Sequence, residues 1–264
     1  MRSECFLLLS IPVFIYTHGN SKIILRIVMS ILPLLIQFFK SPTHYEPFNN
    51  WYFSALSVLL LLCIAICLTP NNLRQHRLYR WAVATPAFIA VCSSCYLYRV
   101  IPLHLCHITG VLVIPLALIL QRRLFQYCLI YVSGWAALVA LLTPNLALHT
   151  SMIRYLIFFT IHGYIVLATL YTYCVYQLPI TLRSFINVLV IFNVYLVLVG
   201  VIDYVTHNNY IYLKTPPDSV PGLFHWPWYI GETEVFLIGL SLLTYACVRA
   251  IARYNLKQTT ITQD

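Results

Sequence analysis

The side chains best suited to covalent chemistry fall in one short string, His104-Leu-Cys106-His107, and at a second position, His162. A thiol attacks carbon as its thiolate, and an imidazole can take and return the proton near neutral pH. Pro102 suits the first turn of a helix, so Cys106 is expected about one turn in, near the positive end of the helix dipole. That position favours the thiolate. His107 adjoins Cys106 but projects about 100° away around the helix, which makes it a poorer partner than His162. His104 is also near in sequence. Further polar residues stand at the edges of apolar stretches: Asn145 and His149 in one connection, Asp203 and His207 closing one stretch, Glu232 and Glu234 opening another. Arg154 could bind a lipid phosphate, although snorkelling explains such an arginine equally well.

Other spacings carry less. Cys92-Ser-Ser-Cys95 has redox spacing, but no second cysteine pair stands in an outer loop to relay electrons. No set of histidines, cysteines and carboxylates has zinc spacing, and no phosphate-cradling glycine loop, HExxH or GxSxG string occurs. Neither a metal nor another cofactor is called for. The nine cysteines lie mostly within apolar runs and read as buried thiols, not as a secreted disulfide framework.

The elements that must position these residues are membrane spans. Apolar residues make up 61% of the 264-residue chain and charged residues 9%, where a soluble domain carries about 25% charged. The expected fold is all-α, a polytopic membrane bundle of seven core helices near 51–68, 79–98, 103–120, 124–142, 155–175, 185–204 and 228–248. An N-terminal hydrophobic segment (1–44) is either an extra span or an interfacial helix, the core runs over 45–250, and a tail covers 251–264. The longest connection, about 205–227, is the one able to form a lid or re-entrant piece. The net charge of +9 does not point to nucleic acid, because the basic residues are scattered between apolar runs.

Basic residues also set the orientation. One side of the core receives Arg74, Arg77, Arg80, Arg122, Arg123, Arg183, Arg249, Arg253 and Lys257; the other receives only Lys40, Arg99, Arg154 and Lys214. The richer side should be cytoplasmic, with the C-terminus inside. His104, Cys106, Asn145, His162, Asp203, Glu232 and Glu234 then gather toward the opposite face, with His162 about 10 Å deep in its helix. Ionisable groups in a bilayer usually face the bundle interior or a watered cavity. A cavity opening on that face would bring them within reach of one another.

At these residues the chain resembles the YwaF-like integral membrane family. Ile101-Pro-Leu-His-Leu-Cys106-His-Ile108 is similar to its P-x-H-L-C-x-I motif, and Gly134-Trp through Thr143-Pro-Asn145 to its glycine-to-Thr-Pro-Asp/Asn stretch. Phe158-Phe-Thr-Ile-His162-Gly163 resembles its His-Gly helix. Asn209-Tyr-Ile-Tyr-Leu213, followed by Trp226-Pro-Trp-Tyr229, resembles its outer loop and the entry to its last helix. The likeness covers about residues 45 to 250, and it departs at Phe224-His225, where the family has Gly-Pro. It implies a seven-helix membrane fold. It also implies kinship to an animal branch that transfers acyl chains to ether lysophospholipids, with an essential cysteine and histidine that fall on Cys106 and His162.

Two functions are consistent with these residues. One is acyl transfer between membrane lipids, from a phospholipid donor to a lysolipid acceptor, with Cys106 as nucleophile and His162 as base. Asn145, His104 or backbone amides would then serve the oxyanion. The alternative is a membrane transporter or lipid-binding protein without covalent chemistry, in which the histidines and acids bind substrate or relay protons.

Overall fold

In the computed structural model the described residues are 50–146, 151–176, 178–217 and 225–261. The N-terminal segment, His149 and Asp218 lie outside them. Among the described residues there is no strand. Besides a single helical turn at Asn71–Arg74, the helices are α1 (Asn50–Leu68), α2 (Arg77–Tyr98), α3 (Leu105–Ile119), α4 (Arg123–Leu142), α5 (Met152–Tyr176), α6 (Leu182–Thr206) and α7 (Trp228–Ile261). Five of them, α1, α2, α4, α5 and α6, are long and apolar enough to cross a membrane. The chain is thus a multi-pass helical membrane protein.

Local chemistry sets several boundaries. Thr181 caps α6 by accepting the Ser184 N–H at 3.1 Å, while the Ser184 hydroxyl accepts the Thr181 N–H at the same distance, a reciprocal capping box. The His76 Nδ1 accepts the Leu78 N–H at the start of α2, and Arg99 ends that helix in the left-handed region at φ 53°. Pro86 lies inside α2, a position that membrane helices tolerate because neighbours re-satisfy the freed carbonyl.

Helix α3 departs from expectation. It begins at Leu105, with His104 as its N-cap residue, and Pro102 belongs to the preceding turn. Even at the α-helical rise of 1.5 Å per residue it would span no more than about 22 Å, less than the roughly 30 Å hydrocarbon layer. Most of it is π-helical, over Thr109–Val113 and Pro115–Ile119, and α4 has a similar turn over Leu129–Ser133. Wide turns leave carbonyls poorly paired, and side chains supply the missing donors. Gln126 Nε2 donates to the Ala117 carbonyl at 2.9 Å, Thr169 Oγ1 to Leu129 at 3.2 Å and Ser241 Oγ to Tyr131 at 2.5 Å. The Thr109 and Ser133 hydroxyls pair at 3.0 Å between the two π-helical regions.

Helix α5 is the hub of the bundle. It packs on α1, α2, α3 and α4 and contributes Ile161, Ile165, Ala168 and Tyr171 to the larger apolar core. A second core joins Ile130, Tyr131 and Val132 of α4 to Phe185 and Val188 of α6, with Leu237 and Ile238 of α7 against it. Gly110 brings α3 close to α2: a Cβ there would lie 2.8 Å from Val91 Cγ2 and 3.3 Å from the Ala87 carbonyl oxygen. The last helix continues through Ile261, so most of the expected tail is helical.

Candidate functional site

The N-terminal end of α3 is the centre of the polar arrangement. Because the helix starts at Leu105, Cys106 occupies its first turn, where backbone N–H groups lack intrahelical partners. Cys106 packs on the larger apolar core. Cys106 is a free thiol and half-buried.

His162 is 8% exposed and stands about 15 Å along α5, deeper than expected because that helix begins at Met152. Its Nδ1 lies 2.8 Å from the Phe158 carbonyl oxygen. A carbonyl can only accept, so Nδ1 carries the proton and Nε2 presents the lone pair. That is the tautomer a base needs. Helices α3 and α5 pack together at this level, and the three imidazoles of His104, His107 and His162 lie within electrostatic range of one another. No hydrogen bond joins Cys106 to His162 among the described residues.

Around His104 the arrangement is aromatic. Its ring meets His107 edge-on at 5.5 Å between centroids, Tyr210 at 5.5 Å and Tyr212 at 5.9 Å. Both tyrosines belong to a single 3-10 turn, Tyr210–Tyr212, whose Ile211 and Tyr212 take positive φ of 58° and 60°. A β-branched residue there is strained, and the surrounding bonds hold it. Asp203 Oδ1 accepts the Tyr210 N–H at 2.9 Å, Asn209 Oδ1 accepts the Lys214 N–H at 2.8 Å, and Tyr229 donates to the Tyr212 carbonyl at 2.5 Å. The described start of the long connection is therefore a stapled cap over the N-terminal end of α3.

The remaining expected residues divide into three groups. Asp203 and Asn145 join the cap: Asn145 Nδ2 donates to the Tyr212 hydroxyl at 3.0 Å, so it holds the loop that covers His104. Glu234 belongs elsewhere, accepting from Asn193 at 2.8 Å between α7 and α6. It lines an open groove with Tyr131, Phe192 and Ser241, a groove that none of Cys106, His104 or His162 lines. Glu232 is half-buried one turn from the start of α7. Arg154 is exposed, its guanidinium 4.5 Å over the Tyr98 ring.

Sequence reasoning passed over two participants. Tyr195 of α6 donates to the Leu103 carbonyl at 2.7 Å and lies within electrostatic range of both Cys106 and Asp203. His107 is 9% exposed, beside His104, and was set aside on helical geometry alone. In a chain with twenty tyrosines, nothing in residue type or spacing singles out Tyr195.

Residues 38–245 match the TMEM164 family. The chain belongs to the TMEM164 family. The matched stretch includes every helix from α1 to α6 and most of the apolar part of α7, and the cap and the His104 cluster lie within it. No curated protein matches the chain, and neither does any solved structure. Within the TMEM164 family fold, the thiol, the deep imidazole and the capped aromatic cluster are the groups available for chemistry.

Proposed function

We propose that this TMEM164 family protein moves an acyl chain between membrane lipids through a thioester on Cys106. The observation that carries the reading is the environment of His162. Its Nδ1 is fixed on the Phe158 carbonyl, so Nε2 is left as a proton acceptor in a helix packed against the start of α3. The likeness to the ether-lysophospholipid acyltransferase branch of the YwaF-like family supports the same pair.

The proposed reaction has two halves. In the first, the Cys106 sulfur bonds to the ester carbonyl carbon of a donor phospholipid while His162 Nε2 takes the thiol proton. The carbon–oxygen bond then breaks, and His162 returns the proton to the departing alkoxide, which leaves as a lysolipid. In the second, the hydroxyl of a lysolipid acceptor bonds to the thioester carbon, its proton passes through His162, and the carbon–sulfur bond breaks to restore the thiol. A free thiolate is costly against an apolar wall, so proton transfer accompanies attack. The unpaired amides at the start of α3 are donors for the oxyanion.

In the same reading all seven helices cross the bilayer, the short α3 leaving its N-terminal end sunk beneath the outer headgroups. The excess of basic residues in the loops on one side supports a cytoplasmic C-terminus. Both lipids arrive by lateral diffusion, so no water-filled entry is needed. The test is transfer of a labelled acyl chain from a diacyl to a lysophospholipid by the protein in vesicles. Cys106→Ala and His162→Ala should each lower the rate at least about 100-fold, as expected for loss of a nucleophile or its base. Cys128→Ala, a thiol in the second core, should leave it within about threefold. Transfer that survives both of the first two changes would refute the proposal and favour transport or lipid binding without covalent chemistry.

A further inference from the structure

Two buried polar atoms beside His104 make no hydrogen bond to the protein. Asp203 is 1% exposed; its Oδ1 is bonded to the Tyr210 amide, but Oδ2 has no partner. His107 Nδ1 is in the same condition. One ring brings these groups together. His104 touches His107 and Tyr210, lies within electrostatic range of Asp203, and shares Tyr210 with the carboxylate. The nearby Lys214 ammonium donates at 2.6 Å to the main-chain oxygen of Asp203 and makes no hydrogen bond to Oδ2.

Polar atoms withheld from water are nearly always bonded, and a carboxylate within a bilayer marks a site that something else completes. The ligand must donate a hydrogen bond to a carboxylate oxygen and can meet an imidazole nitrogen in either sense. A hydroxyl group does both. A quaternary ammonium headgroup would be drawn to the charge, yet it has no proton to give Oδ2 and would leave that atom unbonded.

We propose that Asp203 Oδ2, in the cluster that the His104 ring joins to His107, binds the free hydroxyl of a lysophospholipid beneath the Tyr210–Tyr212 cap. The inference rests on the acyl-transfer reading for one thing, the identification of this hydroxyl as the acyl acceptor. In that division of labour Cys106 and His162 handle the acyl group, and Asp203 and His107 place the oxygen that receives it. Asp203 is then a substrate-binding residue, and the cap it anchors closes over the ligand it holds.

Binding separates this inference from turnover. The full chain carrying Cys106→Ala, in lipid nanodiscs, is titrated with a 1-alkyl-2-lysophosphocholine and with its 2-deoxy counterpart, which differ only in the hydroxyl. The lysolipid should bind at least about ten-fold tighter, since a site built for a hydroxyl strongly rejects an analogue lacking it. Asp203→Asn keeps an oxygen for the Tyr210 amide but replaces Oδ2 with a donor. The hydroxyl then loses its charged acceptor, so the ratio should fall at least about threefold while affinity for the 2-deoxy lipid is unchanged.

Equal affinities for the two lipids would overturn the inference, as would a ratio unaltered by Asp203→Asn. Should that variant fail to fold, the comparison of lipids on the parent protein still decides. A hydroxyl preference in a protein that never forms an acyl adduct on Cys106 would sink the acyl-transfer reading and leave this site standing. An adduct without the preference would do the reverse.

Discussion

Helices α5 and α6 are both 25 residues long, yet the bundle uses them in opposite ways. The more apolar is the less buried: α6 has mean hydropathy 2.6 with 17% of its spanning window inside the protein, against 1.6 and 39% for α5. In water the order would be reversed. Lipid is as good a solvent for valine as a protein core is, so an apolar helix can remain outside, and polar groups go where the protein shields them. Val190, Val194, Val197, Leu198 and Val201 of α6 are exposed, whereas α5 buries His162, Thr172 and Tyr171. On α6 the one buried carboxylate is Asp203, at the end that meets the cap.

The contrast can be broken most severely at the midpoint of α6. Val194→Lys puts an ammonium on the lipid face and should cost about 2.5 to 3.5 kcal/mol of insertion free energy. A glycosylation-reporter assay of α6 insertion measures this directly. Unchanged insertion would mean that this face is covered.

Glycines sharpen the account of the tightly packed half. Gly110→Ala must push Val91 or the backbone at Ala87, and Gly134→Ala meets Thr169 at 2.7 Å and the Leu129 carbonyl oxygen at 2.9 Å. Each should destabilise by about 1 to 3 kcal/mol, read as a lower melting midpoint in detergent. At Gly163 a new Cβ would come no nearer than 3.6 Å, to Leu59 Cδ1, so Gly163→Ala should be neutral or stabilising by up to about 1 kcal/mol. A large loss there would show that the His-Gly pair has a role beyond packing.

Smaller effects belong to the exposed positions. Arg154→Ala removes a guanidinium from the Tyr98 ring and should cost about 0.5 to 1 kcal/mol in the same melting assay. Val197→Leu on the lipid face should stay within about 0.5 kcal/mol of wild type. If it destabilised more than Arg154→Ala, α6 would have a protein neighbour along that side.

The membrane bundle was legible because span length and composition are properties of a continuous stretch. Cys106 and His162 stand out by residue type and position, whereas no residue pattern marks the π-helical turns of α3 and α4. Pro102 was read as a first-turn residue, but the chain turns once more, with Leu103 N–H bonded to the Ile101 carbonyl at 2.8 Å, before α3 begins. Asp203 and Asn145 were identified as site residues, yet their attachment to Tyr210 and Tyr212 depends on a strained turn that no local pattern announces. Glu234 was grouped with them for lying on the same side. Its partner, Asn193, sits in the middle of an apolar run and gave no sign of pairing.

The central claim is that the Cys106 sulfur receives the acyl chain, and intact mass spectrometry of protein reconstituted with a donor phospholipid tests it most directly. The account predicts a mass increase of one acyl group, removed by hydroxylamine, accumulating when no acceptor is present and absent from Cys106→Ala. A wild-type protein that transfers acyl chains without ever carrying that mass, or a Cys106→Ala protein that transfers them as well, would contradict it.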